Sequence, residues 1–152
     1  MFDRSHDISV LNSLIETTID SVDGYRHSST EATNSRFADS FRDWAKDREE
    51  VVTKLRDRVR ELGGTPEHDG GILAAMHRQF LSLRDKVTGS DDQSVIAEVD
   101  RGESYLDDKW QAALNDNGLS PETREVIQSC YGSIREGRMQ WEQLHKSMSA
   151  AS

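Results

Sequence analysis

The sequence predicts an all-α protein, a bundle of four long helices with a short extra helix between the second and third. Three observations predict it. Of the 152 residues, 31 % are charged and spread over both signs, 34 % are apolar and only 2 are proline, a composition suited to long solvated helices. Apolar residues recur at steps of three and four along most of the chain, the spacing that collects them on one helical face. Helix start and stop signals then divide these runs. The length fits a single domain over residues 1–152, with fraying expected at about 1–6 and 149–152.

The first helix is expected over about 8–30, where Ile8, Leu11, Ile15, Thr18, Val22, Tyr25 and Ser29 share a face. The second, about 35–62, carries Phe37, Phe41, Trp44, Val51, Val52, Leu55, Val59 and Leu62 and stops at Gly63-Gly64 before Pro66. A shorter helix over 72–87, with Ile72, Leu73, Met76, Phe80, Leu83 and Val87, looks like a connector. Ser90-Asp91-Asp92-Gln93 reads as a capping box opening the third long helix, whose face is Val95, Ile96, Val99, Leu106, Trp110, Ala113 and Leu114. After the turn Asn115-Asp116-Asn117-Gly118, Ser120-Pro121 opens the fourth, with Val126, Cys130, Ile134, Trp141, Leu144 and Met148 inward.

Connection lengths set the topology. The links after the first and third long helices are short, so each makes an antiparallel hairpin with its successor. The link 63–90 holds a helix of about 16 residues, which spans about 24 Å at 1.5 Å per residue and can travel back along the bundle. Two hairpins joined by one long crossover is the ferritin-like connectivity.

Four segments, Leu11-Asn12-Ser13-Leu14-Ile15-Glu16, Leu62-Gly63-Gly64-Thr65-Pro66, His77-Arg78 and Arg101-Gly102-Glu103, resemble in wording and order a family of small bacterial ferritin-like proteins of unknown function, some associated with stress responses. The resemblance covers almost the whole chain. It implies the ferritin-like bundle, a homodimer and no assigned reaction.

Charge and composition exclude several function classes. A formal net charge of −9 disfavours nucleic acid and anionic lipid as partners. The N-terminal residues lack a basic segment followed by an apolar run, and no stretch of about 18 apolar residues occurs, so neither export nor membrane insertion is expected. Cys130 is the only cysteine; it follows the core face and reads as a small buried apolar residue, and the absence of a possible internal disulfide favours the cytoplasm.

A di-iron centre in this architecture needs a carboxylate from each of two helices and a Glu-x-x-His pair from each of the other two. The chain is read as carrying no Glu-x-x-His pair, so this signature is not expected. At about 100° per residue, Glu16, Asp20 and Asp23 turn away from the core, the centre of the second helix's apolar face falls on Arg48, and Glu103 lies inward between Val99 and Trp110. Tyr25, Arg26 and Arg138 are candidate polar neighbours. One acid among several bases does not suit a pair of divalent cations. A buried guanidinium needs a carboxylate, so Arg48 and Glu103, near the midpoints of their helices, are expected to form a structural core pair where related bundles carry metal.

The interior glycines Gly102 and Gly137 suggest close helix approach or room for a neighbour such as Trp141, and Trp44, Trp110 and Trp141 read as core packing. Met76, His77, Phe80 and Leu83 are the expected connector interface, tied to the bundle or to a second subunit. The functional expectation is a non-enzymatic, metal-free and cofactor-free bundle acting by protein association, the stress association coming from the resemblance alone. The alternatives are a metal-binding, di-iron type oxidase or iron-handling protein using Glu103, Asp47 and Glu50, and a small-ligand pocket opened by the helix glycines.

Overall fold

The computed structural model describes residues 2–31, 35–70 and 92–151. These contain four helices: α1 (Arg4–Glu31), α2 (Ser35–Glu61), α3 (Asp92–Leu114) and α4 (Pro121–Ala151). The expected connector helix, with Met76, His77, Phe80 and Leu83, and the capping serine Ser90 lie outside the described residues. Helical backbone reaches further than expected at both ends. At the N-terminus the cause is Asp3, which receives the Ser5 amide on its side chain at 2.9 Å and the His6 and Asp7 amides on its carbonyl. Asp3 thus caps α1, and residues 4–6 form its first turn.

Two further ends follow the sequence signals. At the end of α2, Gly63 adopts φ +82°, its amide reaching the Arg60 carbonyl and that of Gly64 reaching Val59, both at 2.9 Å. This is the paired-bond glycine stop, in which a left-handed residue reverses the chain. A side chain at Gly64 would meet Ile8 of α1 at 2.8 Å, so this glycine also lets the exit segment lie against α1. At the start of α4, Ser120 Oγ accepts the Thr123 amide at 3.3 Å, with Pro121 as the first helical residue.

Helix α1 packs on α2 and α3, and α4 packs on the same two, so α1 faces α4 and α2 faces α3 across the bundle. Bonds at one end fix the directions. Asn12 near the start of α1 binds the Thr65 carbonyl and the Glu67 amide just beyond α2, His6 meets Asp116 beyond α3, and Asp7 meets Ser120 before α4. The two diagonal pairs are therefore parallel and every neighbouring pair is antiparallel. Helix α2 therefore finishes at the opposite end of the bundle from where α3 begins, the relation found in the ferritin-like connectivity. Among the described residues, no helix is long and apolar enough to cross a membrane.

The core has two parts. Near the end just described lies an aliphatic cluster that includes Leu11, Leu14, Ile15, Leu55, Val59, Leu106 and Ile134 around Trp110. Toward the other end lies an aromatic cluster of Tyr25, Phe37, Phe41, Trp44 and Trp141 with Val22, Val95 and Val99. Between them the inward positions are polar.

Candidate functional site

At the junction of the two clusters, all four helices contribute to one buried network. Arg48 on α2 is 1 % exposed and Glu103 on α3 is 5 % exposed. The guanidinium holds both carboxylate oxygens, Nη1 donating to Oε1 and Nη2 to Oε2 at 3.1 Å, the two-pronged geometry that makes Arg–carboxylate pairs strong. Nη1 also donates to Ser21 Oγ on α1 at 2.7 Å, and Nη2 to the Ile134 carbonyl on α4 at 3.4 Å. Tyr25 of α1 donates its hydroxyl to Glu103 Oε1, and its ring lies 5.1 Å from the guanidinium carbon. On α4 the facing residue is Gly137, where a Cβ would stand 3.1 Å from Arg48 Nη2.

The electrostatics follow from this enclosure. Burial pushes the Tyr25 hydroxyl well above its ordinary pKa and keeps it a neutral donor. Burial alone would weaken the charge on Arg48, but the adjoining Tyr25 oxygen and Glu103 carboxylate outweigh it and raise the guanidinium pKa. The arrangement is a closed charge pair with its donors and acceptors matched, and it joins the diagonal helices α2 and α3 through the centre. The family of folds suggests a pair of metal ions at such a level. The side chains present do not fit one: the carboxylate at the centre is already engaged by a guanidinium and a phenol, and a fixed positive charge fills the space where cations would sit. Among the described residues, no group of three or more His, Cys, Asp or Glu side chains could hold a metal ion.

Of the residues singled out in the sequence, Arg48, Glu103 and Tyr25 come together. Arg26 does not join them: its side chain is 60 % exposed and pairs with Glu49. Consecutive helical residues diverge by about 100°, so with Tyr25 inward, Arg26 is turned out. Arg138 sits at the rim, paired with Asp107 at 3.0 Å and Glu142 at 3.3 Å, because the inward position beside it belongs to Gly137. Gly137 makes room for Arg48 rather than for Trp141. Gly102 faces open space, with nothing within 4 Å of where a Cβ would stand, so it serves no close approach within the described chain. Asp47 and Glu50 lie on the surface with Asp43 along an open groove between α2 and α4, where burial and the two neighbouring acids raise the Asp47 pKa. Cys130 is buried in the aliphatic cluster, and burial raises its thiol pKa.

Sequence reasoning passed over several residues. Ser21 gave no signal, being a small polar residue off the apolar stripe. Glu98, 5 % exposed and bonded to Arg101 at 2.9 Å, is a second inward acid on α3. Its place between Val95 and Val99 could have marked it. The chain also holds one Glu-x-x-His, Glu142 and His145 on α4. Glu142 is exposed and bonded to Arg138, while His145 stacks on Trp141 at 5.2 Å and lies 3.6 Å from Asp100, so the pair does not point into the bundle centre. Asp7, 1 % exposed, accepts Ser120 N at 3.1 Å, Ser120 Oγ at 2.5 Å and Thr123 Oγ1 at 2.7 Å. It was hidden because it caps a helix more than a hundred residues away.

Comparisons with known proteins agree with this architecture. The family described as "Domain of unknown function (DUF2383)" matches residues 6–116, a span that contains Tyr25, Arg48 and Glu103 and ends before α4. No curated protein matches the chain. Among solved structures, the bacterioferritin-related protein from Bacteroides fragilis, described as a dodecameric thioferritin, superposes with a TM-score of 0.76 at 16 % identity, covering 99 % of this chain and 90 % of that one. At that identity the likeness is one of fold.

Proposed function

The chain belongs to that family of unknown function and has a ferritin-like bundle, and from this premise we propose that it is a metal-free, non-catalytic bundle that acts by protein association, as a homodimer and in a stress-related role. One observation carries the metal-free reading: the buried Arg48 guanidinium bound to both oxygens of Glu103. An arginine stays protonated at any physiological pH, so the positive charge cannot be titrated away to admit a cation. The di-iron alternative would require Glu103 to leave Arg48, and the abandoned guanidinium would remain buried without its counter-charge.

Association is supported by the enclosed centre, which leaves the outer surface as the place to act, and by the Bacteroides fragilis neighbour, which is described as a dodecamer. The apolar positions Met76, Phe80 and Leu83, expected on a helix outside the four core stripes, suit a shared face between two copies, with His77 beside them.

Protein purified without chelator is expected to contain iron, manganese and zinc far below one ion per chain by elemental analysis. Near-stoichiometric metal that disappears in Glu103→Gln would overturn the metal-free reading. Light scattering is expected to give twice the 17.2 kDa chain mass. A monomer throughout the micromolar range, or a dimer left equally stable by Phe80→Glu, would overturn the assembly.

A further inference from the structure

The end of the bundle where α1 begins carries a second polar assembly, separate from the central network. His6 Nε2 lies 3.0 and 2.9 Å from the two carboxylate oxygens of Asp116, in the turn between α3 and α4. The same carboxylate accepts the Gly118 amide at 2.8 Å, so the group that meets the imidazole also shapes the turn. The contact is close enough that a Cβ at Gly118 would stand 3.1 Å from the His6 ring. Arg124 of α4 braces the turn from the other side through the carbonyls of Leu114 and Asp116. The next residue, Asp7, holds Ser120 and Thr123 at the start of α4, and Arg58 of α2 donates to Thr123 Oγ1 at 3.1 Å.

We propose that the first turn of α1 is a proton-operated latch on the α3–α4 turn, closed by protonated His6 and loosened when the imidazole is neutral. The charged groups around it explain the direction. Asp3 and Asp7 lie on the same end of α1, Asp116 on the turn, Arg124 on α4 and Arg58 on α2. The nearest of these to the imidazole is the carboxylate it bonds. A neutral imidazole presents either one N–H or a lone pair at Nε2, whereas the imidazolium always presents an N–H and adds a charge opposite to that of the acid. The bond to Asp116, with the fields of Asp116, Asp7 and Asp3, raises the His6 pKa above its ordinary 6.5 despite the opposing effect of burial. A raised folded-state pKa means that the latch contributes fully below 6.5 and fades as the pH rises through the higher value. Because Asp116 organises Gly118, the loss is felt in the turn as well as at the N-terminus.

Two-dimensional NMR of the full chain tests this directly. His6 is expected to titrate above 6.5, and Asp116→Asn to bring it back toward 6.5. Hydrogen exchange in the turn 115–120, corrected for intrinsic base catalysis, is expected to be several-fold slower at about pH 5.5 than at about pH 8.5. His6→Gln keeps an N–H for Asp116 but cannot titrate, so it should abolish that difference without unfolding the bundle. A His6 titration at or below 6.5 in the wild type would overturn the proposal, as would wild-type pH dependence of the turn in His6→Gln.

Discussion

The two halves of the core solve one packing problem with different side chains. The half near the α3–α4 turn is largely aliphatic, with Trp110 as its large ring. The other half is filled by Tyr25, Phe37, Phe41, Trp44 and Trp141, with ring centroids 5.6 to 6.4 Å apart in stacked, tilted and edge-on pairs. Rings bring polar tips with them, and these are carried to partners: Tyr25 to Glu103, Trp44 to Gln140 and Trp141 to Asp100. Aliphatic side chains have no such tips. Their half is closed instead by polar groups that cap chain ends, with Asp7 on α4, and Asn12 holding the segment that leaves α2. Polar groups in this bundle are thus placed by local need, and the Arg48–Glu103 pair is the boundary where the two solutions meet.

The largest expected effect comes from breaking that boundary. Glu103→Ala leaves Arg48 buried without its counter-charge and is expected to lower stability by about 3–5 kcal/mol in urea unfolding. The double variant Arg48→Met/Glu103→Leu removes both charges together and leaves only the Tyr25 hydroxyl without its acceptor, so it is expected to cost about 1–3 kcal/mol, less than the single variant. If the double variant were as unstable as the single, the network would be holding the halves in register beyond the cost of its own charges.

A smaller effect tests the closure of the aliphatic half. Asp7→Asn is expected to cost about 1.5–3 kcal/mol near neutral pH, since charge-assisted bonds from Ser120 and Thr123 are weakened. Burial alone would raise the Asp7 pKa; those bonds and the nearby Arg58 outweigh it and lower the value from 3.8. The contribution is therefore present above 3.8 and lost as the pH falls through the lowered value, so acidification should destabilise wild type more than Asp7→Asn. Equal acid sensitivity would remove Asp7 from this account.

The smallest effect compares two helix glycines. Gly102→Ala, which faces open space, is expected to raise stability by about 0.5–1 kcal/mol through helix propensity alone. Gly137→Ala is expected to lower it, because the new methyl would press on an Arg48 that Glu103 holds in place. A loss in Gly102→Ala would reveal a packing role for that face outside the described chain.

Much of this was legible in the chain because helix periodicity is a local property. The inward stripes of Leu11, Ile15, Val22, Leu55, Leu106 and Trp110 follow from spacing alone, and so does the inward direction of Arg48 and Glu103. Their pairing was legible through a second step, since a buried charge requires an opposite one at the same height. The same rotation argument had too little angular resolution for Arg26 and Arg138, which flank inward residues and end at the surface. Glu142 and His145 show the converse, a recognisable spacing on a face that does not meet the bundle centre.

What the sequence determined by itself is therefore the four long helices, the stop of α2 at Gly63 and the start of α4 at Pro121, the face each one buries and the charge pair that those faces imply. These depend on propensity, capping and rotation within about one helical turn. Only the tertiary structure decided which helices are diagonal, that Ser21 and the Ile134 carbonyl complete the guanidinium's bonds, that Gly137 clears space for it, and that Asp7 and His6 close the far end on residues of α4 and its turn. Those contacts join residues far apart in the chain. Their partners are selected by how the four helices rotate and slide against one another as the core fills, a choice made by the packing of all the side chains together.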